Sequence, residues 1–254
     1  QWPLLTLGYP NGDDYKKYYP TDLMETGSDL VFKWVPRMIL FGLYLDGRIP
    51  FKNLYFHGMV NDEKNQKMSK SKGNVISPID LSDKFGTDAL RMALVMGNAP
   101  GSNVSLAENK VKGYKHFANK VWNIARFVLA NTEGVDLSQK PELMDQDQKI
   151  IDEFRSVAEK MTQNLEDLRF DLAADKIYHY LWHVFADIVI EESKKRLNEG
   201  TEAEKISAKR MLLLILRDSL KLLHPFMPFV TEEIYGFLPV RDKKDLIVES
   251  WPKI

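Results

Sequence analysis

Apolar positions recur along this chain in two rhythms, and the change from one to the other falls near residue 100. Over the first hundred residues, short apolar runs alternate with turn formers. The opening twenty, rich in Pro, Gly, Tyr and Asn, read as loop. Residues 22–26 read as a short strand and Gly27-Ser28-Asp29 as a turn with helix-capping side chains. An apolar helix is predicted over 30–45 and a second, buried strand over 54–60. Strand, capped helix and strand in that order make a βαβ unit, hence a parallel sheet with its ligand crevice at the strand C-terminal ends. Pro36 falls inside the predicted helix, so either the axis bends there or the helix starts later.

Ser77-Pro78 with Asp80 supplies an N-cap, a proline at the first helical position and an acid in the first turn. A short helix to Phe85, a break at Gly86 and a helix over 87–96 follow. Residues 97–103 contain Pro100 and Gly101 and mark a domain boundary, dividing the chain into 1–99 and 100–254. Beyond it the pattern predicts helices alone. Ser105 and Glu108 suggest a capping box, with Val111, Tyr114, Ala118, Val121, Ala125 and Val128 on one face. A second helix over 145–167 carries Ile151, Phe154, Ala158, Met161 and Leu165. A third, capped by Asp171, carries Ile177, Leu181, Phe185 and Ile188. Thr201 and Glu204 form another capping box before the apolar run 211–223, which stops at His224-Pro225. A short helix over 230–237 follows, and 246–250 is a short strand or an extended tail. Four long amphipathic helices with short connections pack most simply as an up-and-down bundle. The fold class is therefore α/β followed by all-α.

Length and composition narrow the class without naming a function. The 254 residues suffice for one large or two modest domains, and 44% hydrophobic with 28% charged residues is ordinary for a soluble protein. With no cysteine, disulfides and thiolate metal sites are excluded. The five histidines lack metal-ligand spacing, so no structural zinc is expected. A net charge of -1 neither supports nor excludes a nucleic-acid partner, because a basic footprint can be local. No run of eighteen apolar residues and no leader pattern occurs, and a cytoplasmic protein is expected. The start, Gln1-Trp2-Pro3, has no methionine and suggests an internal piece of a longer chain.

One stretch carries chemistry. Lys67-Met68-Ser69-Lys70-Ser71-Lys72-Gly73-Asn74-Val75 sets lysines, small hydroxyls and a glycine directly after the second predicted strand. Lysines on flexible stems supply point charges, Ser and Gly keep the loop compliant, and charge developing on a leaving pyrophosphate is the target such donors stabilise. Composition alone also fits a solvated basic turn.

That stretch, after His57-Gly58, resembles the second signature of the class I aminoacyl-tRNA synthetases. The likeness extends to Trp2-Pro3 with Thr6-Leu7-Gly8-Tyr9-Pro10, to Thr26-Gly27-Ser28-Asp29 through Trp34-Val35 and Arg37-Met38-Ile39, and to Lys120-Val121-Trp122-Asn123 with Ala125-Arg126-Phe127. These pieces look like the valyl branch, because the isoleucyl and leucyl branches usually carry Glu-Gly-x-Asp-Gln where this chain has Thr26-Gly27-Ser28-Asp29-Leu30. His224-Pro225-Phe226-Met227-Pro228-Phe229 with Thr231-Glu232-Glu233 is shared across the subgroup.

The resemblance implies the second half of a Rossmann-like catalytic domain followed by a helical-bundle anticodon-binding domain. It implies ATP, accompanied by Mg²⁺, and valine as substrates and tRNA(Val) as partner. By position, Lys67 and Lys70 match the catalytic lysines at the ATP phosphates. Gly27 and Asp29 match the ribose turn, and His57, Met59, Val60 and Met68 complete the ATP-binding set, with backbone groups of Met59, Val60 and Met68 offered to adenine. Trp2, Leu30 and Trp34 match an apolar amino-acid pocket, Leu30 and Trp34 being four apart on one helix face. Lys120, Asn123, Arg126 and Phe127 match anticodon contacts, in which an aromatic or guanidinium plane stacks an unpaired base and an amide reads its edge. Asn123 shares a face with Phe127 and with Lys120, whereas Arg126 is offset and free to pair with an acid. Plain alternatives stand beside these roles: capping for Asp29, core burial for the pocket and adenine residues, an amphipathic surface for the helix.

The first family signature, His-x-Gly-His, does not occur, and His57-Gly58 does not replace it. There is no room for the half-domain that carries it, for an inserted editing domain or for a coiled-coil arm. The resemblance thus implies a monomeric enzyme of which this chain is a portion, partnered by the remaining segments of the same polypeptide and inactive alone. An isoleucyl or leucyl enzyme and a non-catalytic tRNA-binding module are the alternatives.

Overall fold

The computed structural model describes residues 2–135, 143–239, 241 and 243–252, without the side chains of Trp2 and Pro3. The chain divides into two compact units, residues 1–67 with 98–105, and residues 68–97 with 106–254.

In the first unit the opening residues are helical rather than loop: α1 (Trp2–Thr6) and α2 (Asp13–Tyr18) precede the sheet. Asp13 and Asp14 begin α2 and Lys16 and Lys17 end it, each sign facing the favourable end of the helix dipole. Leu4, Tyr15 and Tyr19 form a small core, with Leu7 and Tyr9 packed on it. These apolar anchors are scattered among turn formers, which is why composition hides the helices.

Strand β1 (Thr21–Gly27), helix α3 (Val35–Asp46) and strand β2 (Phe51–His57) complete the βαβ unit, with β1 and β2 parallel and Gly27 opposite His57. Helix α3 starts five residues later than expected. Ser28–Leu30 forms a single 3-10 turn, and Pro36 lies in the first turn of α3, where its missing N–H costs nothing. Strand β2 likewise ends earlier than the apolar run suggests. A Cβ on Gly58 would overlap the Ser102 carbonyl and the Asn103 nitrogen, and Gly101 N–H donates to Phe56 O at 2.7 Å. The 98–105 segment thus closes over the strand end. The chain resumes as β3 (Val60–Asn61), parallel to β4 (Val104–Ser105).

The second unit opens with the lysine stretch and two helices, α4 (Pro78–Phe85) and α5 (Thr87–Val95), broken at Gly86, whose φ of 94° suits glycine. Ser77 caps α4, its hydroxyl accepting from Asp80 N–H at 3.2 Å. The long helices are α6 (Glu108–Asn131), α7 (Asp145–Glu166), α8 (Phe170–His179) running through a π stretch (Tyr180–Val189) into α9 (Ile190–Glu199), and α10 (Glu202–Leu223). Helix α11 (Pro228–Gly236) and a 3-10 turn (Leu246–Val248) finish the unit. Helix α10 packs on α6, α7, α8, α9 and α11, so its run of leucines forms the centre of the core.

Three local expectations change. Ala107, not Ser105, precedes α6; Ser105 lies in β4 and donates to Asp62 O at 2.8 Å, while Glu108 pairs with Lys84 at 2.5 Å. Arg169, not Asp171, precedes α8, and the Asp171 carboxylate takes Arg169 Nη2 at 2.8 Å. The capping box at Thr201 and Glu204 is present. Finally, Ile188 is about half exposed, whereas Val189 is buried. The i→i+5 bonding of the π stretch widens each turn and moves the apolar stripe one position along the chain. Among the described residues no helix is long and apolar enough to cross a membrane.

Candidate functional site

In the first unit, β1 and β2 end side by side, and the C-terminal edge of parallel strands is where such sheets bind ligands. Gly27 has extended backbone, φ -65° and ψ 141°, so conformation does not demand glycine. Space does: a Cβ would lie 2.8 Å from Asp29 Oδ1 and 3.4 Å from His57 Nε2. Gly27, Asp29 and His57 are therefore brought together. Asp29 is exposed and does not cap its 3-10 turn. The exposed His57 pairs through Nδ1 with Glu25, leaving Nε2 toward the Gly27 side.

Met59 and Val60 follow one step further along. The Met59 N–H donates to Asn103 Oδ1 at 2.8 Å and its carbonyl accepts from Val104 N–H at 2.9 Å, so both backbone groups are engaged within the unit. Val60 lies in β3 with a partly exposed side chain, and Lys67 forms an antiparallel bridge with Asn61. Leu30 and Trp34 remain one turn apart although no long helix joins them, because Trp34 N–H donates to Leu30 O at 3.0 Å. Leu30 is half-buried and Trp34 is exposed. The Trp2 side chain lies outside the described residues.

The lysine stretch itself sits in the second unit from Met68 onward. Lys70–Lys72 forms a 3-10 turn, capped by Ser69 Oγ accepting from Lys72 N–H at 3.3 Å and closed by Gly73 at φ 66°. Ser69 N–H donates to Asn74 Oδ1 at 2.9 Å, and Ile76 N–H donates to Met68 Sδ at 3.4 Å. Serines and asparagine thus shape the turn, while Lys70 and Lys72 are exposed. Such an arrangement can present ammonium groups to an anion without spending them on the fold.

On α6, Lys120 Nζ lies 2.9 Å from Asp187 and 5.8 Å above the Trp182 ring. Asn123 and Arg126 are exposed. Phe127 is partly buried against the core, with Lys194 Nζ 5.7 Å over its ring. The acid partner considered for Arg126 is found instead on Lys120. Among the described residues no cluster of three or more His, Cys, Asp or Glu could hold a metal ion.

Sequence reasoning missed several residues around these positions. Asn103 and Asn74 hold backbone by side-chain amides, and only their neighbourhood to glycine hinted at it. Asp88 and Arg91 grip the 225–230 segment from α5: Asp88 accepts from Phe229 N–H at 3.2 Å and Val230 N–H at 2.7 Å, and Arg91 Nη2 donates to Pro225 O at 2.9 Å. Burial pushes the Asp88 carboxyl up, opposed by those two N–H groups. No local pattern announces a contact across so many residues.

A parallel strand pair ending at a glycine–aspartate turn, a lysine turn and a helical bundle in this order define a class, and comparison identifies it. Residues 1–107 match the tRNA synthetases class I (I, L, M and V), residues 147–254 match the anticodon-binding domain of tRNA ligase, and the chain belongs to the class I tRNA synthetases. More particularly, it is similar to valine–tRNA ligases. It is 43% identical to that of Pelagibacter ubique over 99% of the chain, and 41% identical to those of Geobacter sulfurreducens over 99% and Bacillus cereus over 100%. The chain spans 29% of the length of these curated relatives. Its fold is shared by the LeuRS–tRNA–LeuAMS ternary complex of Agrobacterium radiobacter K84, with TM-score 0.81 and 21% identity over 99% of this chain and 32% of that one. Mycobacterium tuberculosis methionyl-tRNA synthetase in complex with methionyl-adenylate gives TM-score 0.75 and 21% identity over 91% and 47%.

Proposed function

We propose that this chain is part of a valine–tRNA ligase, which activates valine with ATP and transfers it from the adenylate to the 3' end of tRNA(Val). The observation that carries the reading is the identity above 40% to valine–tRNA ligases, sustained across the whole chain. Residues 1–99 serve the aminoacylation domain and 100–254 the anticodon-binding domain. Gly27, Asp29 and His57 serve the sugar, Met59, Val60 and Met68 the adenine, and Lys67 and Lys70 the phosphates of ATP carried with Mg²⁺. In the transition state the two lysines offset charge building on the α-phosphate and the leaving pyrophosphate. Trp2, Leu30 and Trp34 serve the valine side chain. Lys120, Asn123, Arg126 and Phe127 meet the anticodon, with Lys120 exchanging Asp187 for a phosphate or base. The protein acts in the cytoplasm as a monomer.

The test is amino-acid-dependent pyrophosphate exchange and tRNA charging by the full-length protein. Valine should support both far better than isoleucine or leucine. Exchange that is indifferent to valine, or that prefers another amino acid, overturns the reading.

A further inference from the structure

The lysine turn is joined to α4 by local hydrogen bonds and to α5 by apolar packing. Met68 Sδ receives the Ile76 N–H, Ser77 caps α4, and Ile76 and Phe85 pack on a cluster of Leu81, Ala89, Leu90, Ala93, Leu106 and Val111. Whatever sets the position of α5 therefore sets the base of the turn. The apolar contacts that α5 makes are close-packed but carry no direction of their own, so they fix its register less sharply than hydrogen bonds do. Directional bonds specify it. Asp88 and Arg91, three residues apart and so on one face of α5, grip opposite ends of segment 225–230. Asp88, 7% exposed, holds the free N–H groups of Phe229 and Val230 where α11 begins. Arg91 holds the carbonyls of Pro225, at 2.9 Å, and Phe226, at 3.3 Å.

We infer that Asp88 and Arg91 are positioning residues for the Lys70 turn, clamping α5 to segment 225–230 and so fixing where the turn presents its lysines. The role in adenylate formation rests on the reading of that turn as phosphate-binding.

The test uses Asp88→Asn and Arg91→Met in the full-length protein, with Tyr235→Phe as a control whose lost bonds, to Glu249 and the Lys243 carbonyl, lie at the far end of α11 from the N–H groups that Asp88 holds. Amide hydrogen exchange at Ile76 and Leu81 should quicken about tenfold in both clamp variants and stay unchanged in the control. In pyrophosphate exchange, kcat should fall about tenfold with the amino-acid KM within about twofold. Unchanged exchange at Ile76 and Leu81 overturns the clamp. Faster amide exchange with unchanged kcat overturns the positioning role. Should the unmodified protein show no pyrophosphate exchange, the phosphate reading of the turn fails, while the amide comparison still decides the clamp.

Discussion

Lys221 Nζ lies 3.0 Å from the Glu249 carboxylate, with side chains only 8% and 3% exposed. Tyr235 O–H and Lys243 N–H donate to the same carboxylate, and Glu232 holds the next turn through the N–H groups of Leu246 and Ile247. Burial pushes Glu249 up, but the bonds from Tyr235, Lys221 and Lys243 outweigh it and bring the carboxyl down from 4.5 to about 2. An acid depressed in the fold stabilises above its unfolded value, and that contribution is lost as pH falls from 4.5 toward 2. Glu249→Gln should therefore cost roughly 3 kcal/mol at neutral pH and flatten the acid limb in that window. Urea titrations at several pH values measure both, and superimposable acid limbs would refute the assignment.

His224 titrates in the opposite sense. Its Nδ1 meets Thr231 Oγ1 at 2.8 Å, and burial lowers its pKa from 6.5 against the charges of Glu232 and Asp88, which raise it. The unfolded chain then binds a proton that the fold declines, so stability rises with pH through the interval below 6.5. His224→Asn should remove that slope. An NMR titration showing the imidazole charging above 6.5 would reverse the sign and defeat the prediction.

How much of this was legible depended on whether the signal was local. The βαβ order, the Ser77 cap, the Gly86 break and the Thr201–Glu204 box all follow from residues within a few positions of one another, and each is present. The end of β2 was not legible, because the 98–105 segment that closes over Gly58 comes from 40 positions later in the chain. Asp171 looked like a cap, but Arg169 beside it made an ion pair the stronger use. In the candidate site, Gly27 and Asp29 were visible as a glycine–acid turn, while the contact of His57 with that turn depends on strand register.

The π stretch gives a direct test of periodicity. A regular α-helix would place Ile188 on the core face, whereas the structure leaves it 49% exposed and buries Val189 to 5%. Ile188→Ser should change stability by less than about 0.5 kcal/mol. Val189→Ser should cost roughly 2 kcal/mol, through lost apolar contact and a buried hydroxyl. Equal effects at the two positions in urea denaturation would mean the stripe has not shifted.

The division of labour along the chain can be separated by two substitutions. Lys70 is exposed on its turn, so Lys70→Ala should leave the fold intact. If it meets phosphate, adenylate formation in the full-length protein should fall by at least about 100-fold, with tRNA affinity unchanged. Phe127 needs a gentler change, because its ring also packs on the bundle core and lies under Lys194. Phe127→Leu keeps most of that packing but removes the stacking face. The loss of one base–aromatic stack is worth about 1–3 kcal/mol, so tRNA should bind roughly tenfold more weakly while pyrophosphate exchange is spared. Filter binding and exchange assays on both variants give the four numbers. A Phe127 variant defective in adenylate formation, or a Lys70 variant defective in tRNA binding, would mean that the two functions are not divided between the turn and the bundle as proposed.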